Sequence, residues 1–509
     1  MRQYIKNIGM LLTFATALQL SANAQTSNSA YFLEGAQYRH QLNPALAVHR
    51  NYIGFPALGN LTIGAHASAG VSNFLYTLPN GDLTTFMNGV VDRNEFLGNL
   101  PGKTRVGINL DMNILSCGFS AWKGFNTISL GVRSNTNFVM PKALFEFMKD
   151  PAEKNYKIEN LGISSTNYAE LAFGHSRQID DHWTVGAKAK FLLGLARAQV
   201  KIERLDVALA GDRWRITPYH ANFETAVGGM VVPTKGETQN YLDDDYVLDE
   251  NGDRTGTLKP GTDDQVSYED IDFNTDDLGP AGWGLAFDFG ATYKLNEDWT
   301  FSAALLDLGF IKWKDAVKGS MKNDFEFSGF HEVPVEEDES NKHNSLENQA
   351  DRLVDDLSNL AKFTRDAVGA KMNSGLAATI NLGAQYTLPV YRKVNFGFLS
   401  STKIYGENSW TEARVSANYA PGSCFEMSLN YALSSYGSTA GLFLNCCHPG
   451  LDLFLGVDFP LGKMEPSYFV PINKFGLQVN LGMNITFGKL RKASKLAEKA
   501  NIDKENSQI

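Results

Sequence analysis

The sequence predicts an all-β protein, a closed antiparallel transmembrane β-barrel of 14 strands, or of 16 if one further hairpin also spans. Three observations predict it. Apolar and polar residues alternate with a period of two over unusually long stretches, long and short connections segregate to opposite ends, and an export signal precedes a chain with no later apolar run long enough for a helical span.

The N-terminus comes first. Arg2 and Lys6 supply a basic start, Ile8 to Leu20 an uncharged apolar stretch, and Ala22-Asn23-Ala24 a small-x-small cleavage pattern before Gln25, so residues 1–24 read as a signal peptide. No cysteine follows the apolar run to carry a lipid. After export, a chain without helical spans is periplasmic, secreted, or a barrel in the cell outer membrane of a Gram-negative bacterium.

Alternation favours the barrel. Leu376, Ala378, Ile380, Leu382, Ala384, Tyr386 and Leu388 share one face of 375–388, and Thr379, Asn381, Gly383, Gln385 and Thr387 lie on the other. In 474–488 the apolar set runs from Phe475 by twos to Phe487, against Lys474, Gln478, Asn480 and Asn484. In 282–295 Trp283, Leu285, Phe287 and Phe289 alternate with Gly284, Ala286, Asp288 and Gly290. Such runs exceed the roughly 5–6 residues of a globular strand and match the 9–11 or so that cross a bilayer at a tilt.

Candidate strands lie near 61–74, 104–121, 126–138, 167–178, 183–194, 196–209, 213–223, 282–295, 299–313, 375–388, 393–404, 410–420, 423–434, 438–447, 450–459 and 474–487. From a periplasmic start, the connections 75–103, 139–166, 224–281, 314–374 and 460–473 all fall outside, as long extracellular loops. The short ones at 123–125, 179–182, 296–298 and 421–422 fall in the periplasm, the asymmetry of outer-membrane barrels. The count is 14 if 196–223 projects beyond the membrane. Trp122, Trp183, Trp283, Trp299, Trp313 and Trp410 sit near strand ends, where an interfacial girdle would place them.

A sheet in a bilayer must close on itself, so the polar faces line a lumen. Glycines on that face leave space, and Lys188, Lys190, Asp288 and Lys294 place charge there, either on a transport pathway or paired with one another or with a plug.

Charge and cysteine usage exclude other classes. The formal charge of −10 becomes −12 without Arg2 and Lys6, and the segment 236–278, with 14 acids against Arg254 and Lys259, carries that whole imbalance. No basic stripe suits a nucleic acid. Cys117, Cys424 and the adjacent Cys446 and Cys447 have no metal-ligand spacing and read as ordinary packed thiols. No metal or cofactor is expected. Asp249 to Asp253 imitates a calcium loop, but Arg254 stands where glycine is needed and Pro260 where the glutamate belongs, so it reads as a solvated acidic loop. His175 and Ser176 are adjacent on a strand, point to opposite faces, and cannot serve one catalytic site. No enzyme is expected.

Two motifs carry a resemblance. Asn480, Gly482, Ile485 and Phe487 in the last strand resemble the polar-x-Gly-x-x-apolar-x-aromatic signal read by the barrel assembly machinery. Gln41-Leu42-Asn43-Pro44-Ala45, just before the first strand, is similar to the Asn-Pro-Ala segment of FadL fatty-acid transporters and PorV-like barrels. Together with hairpins such as Leu295-Asn-Glu-Asp-Trp299, the layout resembles an uncharacterised Bacteroidota family of outer-membrane barrels. The resemblance implies an N-terminal hatch over residues 25–60, with Asn43, Pro44 and Ala45 at its heart, ahead of a barrel over 61–488. It also implies one of two roles: passive transport of a small hydrophobic molecule, or a scaffold whose outer loops hold a surface or secretion protein.

Two segments complete the chain. From Asn344 to Asp366 the spacing turns helical, with Leu346, Ala350, Leu353, Val354, Leu357, Leu360 and Ala361 on one face, so the loop 314–374 is expected to carry an amphipathic helix packed at the barrel rim. Residues 489–509 form a basic periplasmic tail with Lys489, Arg491, Lys492, Lys495 and Lys499.

Overall fold

The computed structural model describes residues 28–487 except 49, 79–82, 150–153, 212, 250–253, 328–344, 346–348, 350–361, 423, 449, 462–463, 466–469 and 472–473. The signal peptide, the basic tail, most of the Asp249–Asp253 loop and most of the expected helix lie outside the described residues.

The alternating segments pair in sequence order until the sheet closes as a 14-stranded antiparallel barrel. Its first position holds two pieces, β1 (Asn51–Gly54) and β2 (Leu61–Ala67), both seated between the last strand and β3 (Lys103–Ala121). β4 (Gly124–Pro141), β5 (Asn155–Gln178) and β6 (Trp183–Ala210) follow as hairpins. β7 (Arg213–Val227) pairs with the far half of β6, beginning at Ala196. The near half of β6 pairs instead with β8 (Gly282–Lys294), and β8 with β9 (Trp299–Ser320). β10 (Thr364–Gly375) runs along the far end of β9, and the wall continues with β11 (Ala378–Thr387) and β12 (Val394–Ile404). β13 (Trp410–Tyr419), β14 (Glu426–Ser434), β15 (Gly437–His448), β16 (Leu451–Pro460) and β17 (Phe475–Phe487) complete the circuit.

The number is therefore 14 and not 16, because residues 196–227 extend the wall upward beside β9 without adding strands at membrane level. The 28 residues of β6 are far more than the 9–11 or so that a bilayer needs. This surplus is the frame of a layer built from the long connections.

Burial along the wall is inverted relative to a water-soluble protein. Phe287, Phe289, Leu382, Phe398, Leu429 and Leu453 are exposed, whereas Asp288, Asn381, Ser428, Asn445 and Asp458 are buried. Apolar side chains turned outward in a continuous band gain free energy only if hydrocarbon replaces water there. At the short-turn end the band is edged by aromatic pairs, Trp183 with Tyr293 at 4.8 Å and Trp299 with Tyr386 at 4.9 Å between ring centroids.

Several expectations change. The wall begins at Asn51, not at 61, because β1 already pairs with β17 and β3. Trp313 is not in a girdle: it is 1% exposed and its indole N–H donates to Ser374 Oγ at 2.8 Å. The cause is a bulge in β9, where Phe287 faces Leu308 but Phe289 faces Leu305, with Asp307 at φ 57°. One extra residue reverses which parity points inward. The loop 314–374 is strand at both ends, through Ser320 and from Thr364, so the helical pattern does not extend over Thr364 to Asp366.

Candidate functional site

The lumen is filled from the N-terminus. Residues 28–50 carry three short 3-10 turns, Asn28–Ala30, Gln37–Gln41 and Pro44–Leu46, and bury Tyr31, Phe32, Leu33, Tyr38 and Leu42 inside the wall. Several glycines on the lumen face do not leave open space as expected but receive this segment. Gly186 and Gly290 are cross-strand partners, and a β-carbon on them would stand 2.3 Å from the Pro44 carbonyl carbon and 2.0 Å from Asn43 Oδ1. A β-carbon on Gly397 would lie 2.1 Å from the Phe32 ring.

Asn43 is the centre of the seat. Its Oδ1 accepts from Ala45 N at 2.9 Å, capping the turn that Pro44 begins with a preset φ. Its Nδ2 donates to Tyr31 Oη at 3.2 Å and to the wall carbonyl of Ala303 at 3.2 Å. Asn381 Nδ2 donates to Leu42 O at 2.9 Å, and Ser176 Oγ to Ala45 O at 3.4 Å. Ser176 thus faces the lumen, while His175 is exposed and meets Asn126 at 2.9 Å.

Beside this seat the wall carries a buried ion-pair network. Lys190 Nζ reaches Asp288 at 2.8 Å, Asp307 at 2.5 Å and Glu170 at 3.9 Å. Arg133 bridges Asp111 at 2.9 Å and Glu170 at 3.0 Å, while Lys188 lies 3.9 Å from Asp288 and donates to His40 O at 3.4 Å. Lys188, Lys190 and Asp288 therefore meet. Lys294 does not join them: it is exposed at the short-turn end of β8, its carbonyl bonded to His182 Nδ1 at 2.7 Å. Asp111, Arg133 and Glu170 were legible by parity as charges on inward faces but were missed. Asp307 was not legible, since only the bulge brings it in.

A second cluster ties the segment's start to the opposite wall. Arg414 bonds Glu412 at 2.9 Å, Asp458 at 3.0 Å and Ser29 Oγ at 2.7 Å, and Asn28 Nδ2 donates to Glu412 at 3.1 Å. One opening of about 40 Å³ lies within the wall's own side chains beside Arg133, Asp307 and Lys403, and another of about 70 Å³ lies beside Asn28 of the segment and Glu412, Arg414 and Asp458 of the wall. These are spaces for a few waters each.

Asn480 is buried and donates to Thr62 Oγ1 at 2.6 Å, a β-carbon on Gly482 would meet the Phe454 ring at 2.2 Å, and Ile485 and Phe487 are exposed.

A different kind of cavity lies where β6 leaves β8. About 100 Å³ is lined by Val200, Phe223, Met230, Val232, Val266, Tyr268, Ile271 and Phe363. At its edge Arg197 donates through its terminal nitrogens to Thr166 Oγ1 at 2.9 Å and to Gln199 at 2.5 Å, its buried Nε having no hydrogen-bond partner, and Lys318 pairs with Glu224 at 2.7 Å. Burial pushes the Tyr268 phenol up to about 12, so it is neutral and donates or accepts without charge. The cavity is apolar and ready-made.

A wall apolar outside and polar inside, with its own N-terminal segment seated in the lumen, defines a plugged transmembrane β-barrel. More narrowly, the chain belongs to the family of unknown function DUF5723, which it matches over residues 44–458. No curated protein matches it. Among solved structures it is similar to the toluene transporter of Pseudomonas putida (9% identity, 92% of this chain and 95% of that chain, TM-score 0.37). It is also similar to the toluene transporter of Ralstonia pickettii (7%, 87% and 92%, 0.36) and to a FadL homologue of Pseudomonas aeruginosa (11%, 92% and 99%, 0.36).

Proposed function

We propose that this protein is a passive outer-membrane transporter for a small hydrophobic molecule and not an enzyme, with residues 28–50 acting as its hatch. The observation that carries the reading is the apolar cavity of about 100 Å³ set in the layer of long connections, beside a lumen otherwise lined with polar groups. An apolar solute reaching it leaves water for Phe223, Met230, Val266 and Phe363, a gain of about 25 cal/mol per Å² of apolar surface covered. In this reading lipid surrounds the exposed band, the long connections face outward, and the barrel assembly machinery reads Asn480, Gly482, Ile485 and Phe487. The hydrogen bonds of Asn28 to Glu412 and of Arg414 to Ser29 are the ones a moving hatch would exchange for water.

The filled lumen favours a second reading, a PorV-like scaffold that holds a protein through its outer loops. Native mass spectrometry of the purified barrel separates the two. A bound apolar molecule, together with uptake of an apolar dye into liposomes carrying the barrel, is the expected result. A barrel free of any such molecule, impermeable, and associated with a protein partner would overturn it.

A further inference from the structure

The apolar cavity is closed on one side by a strap of four residues, Lys362 to Arg365, whose one aromatic side chain enters it. Phe363 stands edge-on to Phe223, with ring centroids 5.2 Å apart at 80°. Its backbone is fixed on both sides: Phe363 N donates to Tyr268 Oη at 3.2 Å, and Phe363 O accepts from Val266 N at 2.9 Å. Gln265 and Thr364 form an antiparallel bridge next to it.

Ionic clamps flank the ring. On one side Lys362 Nζ meets Asp245 Oδ1 at 2.9 Å, both side chains being buried, and Lys235 pairs with the other oxygen of Asp245. On the other, the Arg365 guanidinium grips both oxygens of Glu237, one at 2.7 Å, and donates to Val232 O at 2.8 Å. A strap held at both ends and stitched at its centre cannot drift to suit a larger guest, so the ring it presents behaves as a fixed wall.

Resting on the reading of this cavity as a ligand site, we propose that Phe363 is its size-determining residue, restricting it to apolar ligands of about one six-membered ring or a branched chain of similar bulk. The volume supports that limit: about 100 Å³ is somewhat smaller than a dry, apolar cavity of about 150 Å³ known to admit benzene. The lining supports the chemistry, since Phe223, Tyr268 and Phe363 offer ring edges and faces and Met230 a polarisable sulfur.

The test uses the full chain in detergent, with fluorobenzene and 1-fluoronaphthalene as probes followed by ¹⁹F NMR. Ala198→Phe, which fills the cavity, subtracts partition into micelles. The native protein is expected to bind the single ring at least about tenfold more tightly than the double ring, the discrimination a hydrophobic pocket achieves over a small change of size. Phe363→Ala should erase or reverse that preference, and Phe363→Leu should narrow it. Arg365→Met, which loosens the strap without altering the lining, should narrow it as well. If Phe363→Ala misfolds, judged by loss of heat-modifiable gel mobility, Phe363→Leu decides. An unchanged size preference in folded variants overturns the role of Phe363 and leaves the ligand-site reading standing. Failure of the native protein to bind either probe above the Ala198→Phe background overturns both.

Discussion

Lys190 is the residue on which the inner wall depends. It touches three carboxylates, Glu170, Asp288 and Asp307, and its side chain is almost wholly buried. Asp307 contributes only because the bulge turns it inward at φ 57°, where its backbone N–H also donates to Asp288 Oδ1 at 2.8 Å. Removing one partner of a buried pair leaves uncompensated charge and costs about 3–5 kcal/mol, whereas removing both is far milder. Lys190→Met is therefore expected to lower the urea concentration at which unboiled barrel loses its fast gel mobility. Adding Asp288→Asn should restore part of the loss, and an unaltered transition in the single variant would mean that water already screens these groups.

At the scale of elements, the seat of the N-terminal segment rests on two glycines facing each other across adjacent strands. A side chain on Gly290 would displace Asn43, whose own contacts hold the Asn-Pro-Ala turn against β8 and β9. Overpacking of this kind costs about 1–3 kcal/mol. Gly290→Val should accordingly expose the segment, seen as tryptic cleavage at Arg39 or Arg50 about tenfold faster than in the native barrel. Asn43→Gly in the same chain should slow the cleavage again by vacating the space. Equal cleavage rates in all three would show that the turn is not what seats the segment.

Across the whole molecule, membrane wall and outer layer answer differently to pH. In the outer layer the Arg365 guanidinium, helped by the Thr234 N–H, holds the Glu237 carboxyl below the usual glutamate range, and Lys154 with Arg93 does the same for Glu146. A depressed carboxyl contributes stability above its unfolded value of about 4.3, and that contribution is lost as pH falls through the lower folded value. Binding of an apolar probe to the outer cavity should thus be flat from about pH 8 to pH 5 and decline only below about 4. A decline already at pH 6 would show that some other group controls the strap. The sheet itself has no free edge and should keep its heat-modifiable mobility throughout that range.

What the sequence by itself determined was the wall. A two-residue period separates the two faces of an unbroken strand, so Asp288, Lys188 and Lys190 were assignable to one side and Phe287 and Phe289 to the other from the sequence. The segregation of short and long connections likewise ordered the strands. Tertiary structure alone decided the rest, because each remaining feature depends on a contact between distant residues. The bulge that buries Trp313 and brings in Asp307 exists only in the pairing of β8 with β9. Gly186, Gly290 and Gly397 are filled because residues more than a hundred positions earlier fold into them. The apolar cavity draws its walls from β6, β7, the connection 224–281 and Phe363, and no periodicity within one segment records which others will close over it.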